Sequence, residues 1–358
     1  MRIHNFSAGP CTLPLEVLEQ ARDEFVDHHG AGAALIEMSH RSPEYDGVHV
    51  DALATARRLA GAPDEFDVLF LQGGATLQFA MVPMNLLGPG DHARYAITGS
   101  WSQKALADAR HLGSVSVAWD GGEGGYTATP AGDELHVGDD DRYLHLCSNE
   151  TIEGLRWATW PDVGVPLVVD MSSEYLARPI PWDLVDVVYG GVQKNLGPAG
   201  LTIVFVRRSV LDRVPDLASY LSWATHAEKH SLYNTPPVFA VWITGKVLRW
   251  LEERGGVPAL EADAAHKAGL LYDVVDRSDG YYRCPVEPAH RSHMNVVFRL
   301  PSPDEEARFV VEAAERGLAN LKGHRSVGGI RASVYAAMPV AGVEELAGFM
   351  TEFAAAHR

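Results

Sequence analysis

A succession of short apolar runs governs what this chain can fold into. The segments "DVLFLQGG", "ARYAITGS", "SVSVAW", "RYLHLCSN", "PLVVDMSS", "VDVVYGG" and "LTIVFVR" recur through the first two thirds of its 358 residues. Several are apolar at consecutive rather than alternate positions, the pattern of strands covered on both faces. Helix-like stretches lie between them, such as Leu77 to Leu87 and Gln103 to Leu112. Strands alternating with helices build an α/β sheet that is mostly parallel, because parallel neighbours need a crossover of helical length. The last two runs break that rule. Between "VDVVYGG" and "LTIVFVR" stand just the residues "VQKNLGPAG", too short for a helical crossover, so these strands are expected to pair antiparallel and make the sheet mixed. That loop carries a single lysine, Lys194.

Past "NTPPVFAVWITGKVLRWLEERGG" the pattern changes. A long helical stretch leads to "MNVVFRL", a helix from about Pro303 to Gly317, "GIRASVY" and a final helix. The change falls near Ala259 to Ala264, which gives a large domain of residues 14–260 and a smaller α+β domain of residues 1–13 and 261–358. No internal repeat interrupts the chain, and "DGGEGGY" reads as a surface loop.

Charge narrows the function. Lys plus Arg number 30 against 47 Asp plus Glu, a formal net charge of -17, so the whole-molecule field repels nucleic acid and anionic membranes. An anionic ligand has to be captured by a local concentration of cations. Cys11, Cys147 and Cys284 are widely spaced without a CxxC, which offers neither a disulfide framework nor a zinc ribbon. The start "MRIHNFSAGPCTLPLEVL" lacks the apolar core of a signal peptide and no stretch approaches a membrane span, so a cytoplasmic protein is expected.

A lysine in a glycine-rich loop is by itself an ordinary turn residue. Its neighbourhood changes the reading. "PLVVDMSS" places Asp170 at the end of an apolar strand, where a carboxylate needs a cation or a protonated ring nitrogen as partner. Pyridoxal phosphate asks for such a pair, a lysine to form the Schiff base and a carboxylate to keep the pyridine nitrogen protonated. In "LFLQGGATLQFAMV" a strand, two glycines and a helix start put the amides near Ala75 and Thr76 where they can meet a phosphate. Trp101 in "TGSWSQKA" follows another strand and can stack on a flat ring. Alone, a glycine pair is more often a tight turn and a buried tryptophan more often core. Cations cluster at His40 and Arg41 in "EMSHRSPEY", at His324 and Arg325 in "KGHRSVGG", and at Arg331 in "GIRASVY"; each is an anion site or a surface ion-pair site.

Taken in order, "NFSAGPCTLP", "GGATLQFAMVPMNLL", "DMSSEYLARPI", "GGVQKNLGPAGLTIVFVR", "NTPPVFAVW" and "GHRSVGGIRASVYAAMP" resemble the phosphoserine aminotransferase family, in class V of the aspartate-aminotransferase fold type of pyridoxal-phosphate enzymes. The likeness spans essentially the whole chain. It implies that Lys194 carries the cofactor, Asp170 pairs with its ring nitrogen, Trp101 stacks on the ring and Thr151 of "SNETIEG" bonds near its polar edge. Gln193 would join Ala75 and Thr76 at the cofactor phosphate, and in a homodimer with shared sites Asn234 and Thr235 would reach it from the neighbouring subunit. Arg331 would bind the substrate α-carboxylate, with Arg41, Arg325, His40 and His324 at the phosphate or distal carboxylate. The implied reaction converts phosphoserine and 2-oxoglutarate to 3-phosphohydroxypyruvate and glutamate in serine biosynthesis, in ping-pong order. Some relatives also take a hydroxythreonine phosphate of vitamin B6 synthesis.

Two departures and several rivals accompany that resemblance. Some relatives carry an arginine just after the glycines, where this chain has Ala75 and Thr76. Arg156 in "LRWATWP" has no assigned role. A class V enzyme acting on alanine, serine or glyoxylate would share Asp170 and Lys194 but need fewer cations. A cysteine desulfurase would need a mobile nucleophilic thiol, for which Cys284 in "YYRCPVEP" is the loop-like candidate and a packed residue the simpler reading. A scaffold without turnover is disfavoured because no catalytic residue type is missing. No metal site is expected, since His226 and His230 in "HAEKH" lie one turn apart on a helix but have no third ligand.

Overall fold

The computed structural model describes residues 2–357. Its centre is a seven-stranded sheet. In chain order the strands are β1 (Phe66–Leu71), β2 (His92–Ile97), β3 (Ser114–Asp120), β4 (Leu144–Cys147), β5 (Leu167–Asp170), β6 (Val185–Gly191) and β7 (Thr202–Arg207), laid side by side as β1-β7-β6-β5-β4-β2-β3. All neighbours are parallel except those of β7, which runs antiparallel to both β6 and β1. The short connection through Lys194 therefore reverses the chain as its length requires.

Strand β5 is buried along its whole length and β6 and β7 along nearly all of theirs, which is why their sequences are apolar at adjacent positions. Val169, Val188, Ile203 and Phe205 face one core, and Val168, Val187, Val204 and Val206 the opposite one. Burying each such side chain contributes about 1.5–3 kcal/mol. A charge at Val188 would lose that gain and add an unpaired ion to the sheet's middle.

Helices cover both faces. On one, α1 (Leu15–Glu24), α2 (Pro43–Ala60) and α5 (Val238–Glu253) pack together; on the other lie α3 (Gly74–Leu86) and α4 (Ser100–Ala109). Local chemistry sets the ends of α2. Ser42 Oγ accepts from Tyr45 N, Pro43 occupies the first turn, and Gly61 closes the helix with φ 59°, the left-handed conformation that glycine adopts without a Cβ clash.

A second core forms around α6 (Gly256–Asp276), the antiparallel pair of β8 (Asn295–Phe298) with β9 (Ile330–Ser333), α7 (Pro303–Glu315) and α8 (Val340–His357). Tyr282, Phe298, Phe309, Phe349 and Phe353 supply its rings. The beginning of the chain joins it, because His4–Asn5 pairs in parallel with Leu318–Ala319 and Phe6 is buried there. Residues 259–264, where the sequence pattern changes, lie inside α6. Among the described residues no helix is long and apolar enough to cross a membrane.

Candidate active site

In an open α/β sheet the strand dipoles and the loops that leave the strands converge at the carboxyl ends, and ligands bind there. Here β1, β2, β4, β5 and β6 end on one edge, at Leu71, Ile97, Cys147, Asp170 and Gly191. Asp170 is the last residue of β5, in register with Cys147 on one side and Tyr189 on the other. Lys194 follows β6, and its Nζ lies 4.9 Å from the centroid of the Trp101 ring.

The environment opposes charge on both groups. Burial lowers the Lys194 pKa, with Asp170 the largest opposing influence, and burial raises that of Asp170, with Lys194 opposing. Lys194 keeps some accessible surface, but enough protein surrounds it for desolvation to prevail. Asp170 Oδ1 accepts from Ser172 N at 2.9 Å. The loop itself is pinned. Asn195 Nδ2 donates to Tyr175 O at 2.8 Å, its Oδ1 accepts from Ala336 N at 2.9 Å, and Gln193 O accepts from Cys11 N at 3.1 Å.

Two helices begin at the same edge and are treated differently. The first turn of α4 is closed by carboxylates. Glu150 accepts from Trp101 N and Ser102 N, each at 2.9 Å, while Glu153 Oε1 accepts from Ser100 N at 3.0 Å and Ser100 Oγ at 2.6 Å. Gly99 makes room for them, since a Cβ there would lie 2.7 Å from Glu150 Cδ. Burial lifts the pKa of both acids, that of Glu150 to about 8. By contrast, no side chain caps α3. It starts on Gly73 and Gly74, with φ 93° and 66°, so the amides at Ala75 and Thr76 and the positive end of the helix dipole stay available to an anion.

Trp101, so aimed, donates from Nε1 to Thr151 Oγ1 at 2.7 Å, and Thr151 O accepts from Arg331 Nη1 at 3.2 Å. Arg331 sits on β9, half-buried, so the second core supplies a cation to the sheet edge. Burial lowers its pKa, and Tyr335 and Glu153 oppose that. The His324 pKa is also lowered, by desolvation and then by the nearby charges of Arg331, Lys104 and Arg325.

The structure therefore brings together Lys194, Asp170, Trp101, Thr151, Arg331 and His324, with the exposed Arg325 next to His324. Ala75 and Thr76 open α3, and the Gln193 side chain folds back toward Gly191. His40, half-buried, and Arg41, exposed, precede the cap of α2, and among the described residues no hydrogen bond or ion pair joins their side chains to the Lys194 group. Within one chain Asn234 and Thr235 lie beside the glycine turn, where Gln72 Nε2 donates to Thr235 O at 3.1 Å.

Residues 3–346 match the family described as Aminotransferase class-V. The chain belongs to the class V aminotransferases. Within the phosphoserine aminotransferase family, it is 48% identical over 358 residues to the phosphoserine aminotransferase of Laribacter hongkongensis, covering 100% of both chains. The solved phosphoserine aminotransferase of Bacillus circulans subsp. alkalophilus superposes with a TM-score of 0.98 at 46% identity, over 100% of this chain and 99% of that one. A PLP-bound phosphoserine aminotransferase from Trichomonas vaginalis gives 0.93 at 36%, over 98% and 100%. The mixed α/β sheet of this class V aminotransferase is thus that of the aspartate-aminotransferase fold type.

Several features of this aminotransferase are not in the sequence reading. Glu150 and Glu153, around Thr151 in "SNETIEG", cap a helix that starts at Ser100, and their own sequence neighbourhood carries no signal of it. Lys104, one turn after Trp101, places its Nζ 4.1 Å from that ring's centroid. The pairing of His226 with His230 on one helix face does not form. The helix Trp223–Glu228 ends first, His230 has φ 49°, and His226 Nε2 bonds Tyr220 O at 2.8 Å. Glu24, His28 and His29 do come together, but Lys246 Nζ holds Glu24 at 2.8 Å. Burial raises the thiol pKa of all three cysteines, that of Cys11 to about 12, which leaves none activated as a desulfurase requires.

Proposed function

We propose that this class V aminotransferase uses pyridoxal phosphate to interconvert O-phospho-L-serine and 2-oxoglutarate with 3-phosphohydroxypyruvate and L-glutamate, a step of serine biosynthesis. The gathering of cations around Lys194 and Asp170, in a chain of net charge -17, carries the reading. Phosphoserine and glutamate each carry two anionic ends, and a pocket for alanine or glyoxylate would not need so many positive groups.

The residues present suit the cofactor: a lysine without an ion-pair partner among the described residues, an enclosed carboxylate, an indole, and an uncapped helix start lie on one sheet edge. When bound, pyridoxal phosphate supplies a carbonyl carbon that takes up amino groups and a protonated ring that withdraws electrons. Lys194 is the residue that attaches it. Asp170 would hold the proton on its ring nitrogen, Trp101 would lie against the ring, and Thr151 would bond its polar edge. The amides of Ala75 and Thr76, with Gln193, would hold its phosphate, joined by Asn234 and Thr235 of the partner subunit in a cytoplasmic homodimer.

Lys194 Nζ then moves the substrate's α-proton. Desolvation favours its neutral amine, the form that accepts a proton, and Asp170 keeps the shift from running too far. Arg331 would take the α-carboxylate, anchored by Thr151 O so that its guanidinium does not wander. His324, Arg325, His40 and Arg41 would meet the phosphate or the distal carboxylate. We further propose that residues 14–260 form a large cofactor-binding domain and residues 1–13 with 261–358 a smaller one.

Glutamate formation from 2-oxoglutarate by the cofactor-loaded protein tests this, with phosphoserine, serine, alanine or cysteine as donor. Strong preference for phosphoserine with parallel double-reciprocal lines is the expected result. Equal turnover of an unphosphorylated donor would contradict it.

A further inference from the structure

Lys104 is an exposed lysine beside the Lys194 group. On α4 it follows Trp101 by one turn, with its Nζ 4.1 Å from the indole centroid, and Lys194 Nζ lies 4.9 Å from the same centroid. Trp101 cannot swing freely, because Glu150 accepts from its backbone amide and Thr151 Oγ1 from its Nε1. Thr151 O in turn accepts from Arg331. Lys104, Trp101, Thr151 and Arg331 thus form one line of contacts with a cation at each end.

Three cations stand near that line, beside the buried acids Glu150 and Glu153 that cap α4. Arg331, Lys104 and Arg325 all act electrostatically on His324. Among the described residues none of Lys104, Arg325 and Arg331 has a carboxylate within 4.0 Å. Other cations of the chain do: Arg94 with Asp141, Arg207 with Asp186, Lys246 with Glu24, and Lys267 with Asp263. In a chain with 47 acids and 30 Lys plus Arg, three cations without an ion-pair partner among the described residues are a local choice. Like charges held together repel, and an anion set among them removes that repulsion. The glycine turn, with Ala75 and Thr76, adds no positive side chain on that edge.

We propose that Lys104 is a specificity-determining residue that binds the phosphate monoester of the substrate, at the opposite end of this line from the carboxylate held by Arg331. The inference rests on the proposed reaction. A flexible ammonium suits a phosphate monoester as a point charge, and the Trp101 ring limits how far its stem can turn away.

The test compares wild type, Lys104→Met and Lys104→Arg, all loaded with cofactor. In Lys104→Met, kcat/KM for phosphoserine should fall roughly 10- to 100-fold, mostly in KM, as for loss of a charge-assisted hydrogen bond. With glutamate as donor, a carboxylate replacing the phosphate, the loss should be smaller by about fivefold or more, because the monoanion gains less from the charge. Lys104→Arg should recover most of the phosphoserine loss. Calorimetric titration with inorganic phosphate should show weaker binding in Lys104→Met by about tenfold. Unchanged phosphate affinity and phosphoserine kcat/KM in that variant would overturn the inference alone, as would equal losses in kcat for both donors, the mark of a structural prop for Trp101. Wild-type protein that uses serine as well as phosphoserine would overturn the underlying reaction, and this inference with it.

Discussion

Lys194 and Lys267 are both enclosed by protein, and burial lowers the pKa of both. They differ in what their ammonium groups meet. Lys267, on α6 in the second core, donates to Tyr335 O at 2.8 Å and Met338 O at 3.2 Å, and pairs with Asp263 Oδ2 at 2.7 Å. Every proton on that nitrogen has an acceptor. Lys194 has a ring 4.9 Å away and the charge of Asp170, without an acceptor in hydrogen-bond reach among the described residues. Burial and a shifted pKa thus fail to separate structural from chemical lysines, whereas the satisfaction of their donors does. One lysine ties a helix to the segment after β9, and the other is held in place by its backbone with its tip unpartnered among the described residues.

The largest effects should divide these two residues. Lys194→Ala should lower turnover by about 10³-fold or more, as expected when a nucleophile and proton carrier is removed. Its thermal midpoint should stay within a few degrees of wild type. Asp170→Asn comes next, with a fall in kcat on the order of 10²–10³-fold, the scale of losing one preorganised electrostatic group, and weaker pyridoxal phosphate binding by titration. Lys267→Met should behave in the opposite way. It leaves two carbonyls unanswered at about 1–3 kcal/mol each, which lowers the melting temperature while the folded fraction keeps its turnover. If Lys267→Met lost activity without stability, the distinction would fail.

The capped helix sharpens the comparison through pH. The Glu150 pKa is lifted from 4.5 to about 8, so between those values the folded protein holds a proton that the unfolded chain releases. Stability from this group is fully present below about 4.5 and is lost as pH rises through about 8. Melting curves across that window should show the decline in wild type and a flatter profile in Glu150→Gln. Smallest of all, Thr151→Val removes the Trp101 Nε1 bond, which costs about 0.5–1.5 kcal/mol and should appear as a modest rise in KM.

Much of this was legible in the sequence because local rules decide it. The "VQKNLGPAG" connection forces β6 and β7 antiparallel whatever surrounds them, and an acid closing an apolar strand marks Asp170. Helix α3 begins at Gly74 rather than Leu77, since glycine is a poor helix former and signals only the turn before it. What stayed illegible depends on tertiary placement. Nothing local in "TGSWSQKA" tells that Glu150, some fifty residues on, caps α4. His226 and His230 read as one helix face because the break is made by Lys229 and a left-handed His230, with no glycine or proline to announce it.

The most direct measurement is a covalent map of the cofactor attachment. The protein is loaded with pyridoxal phosphate, reduced with borohydride and digested, and the modified lysine is located by mass spectrometry. Modification confined to Lys194 is the predicted result. A label on Lys104 or Lys267 in place of Lys194 would contradict the account.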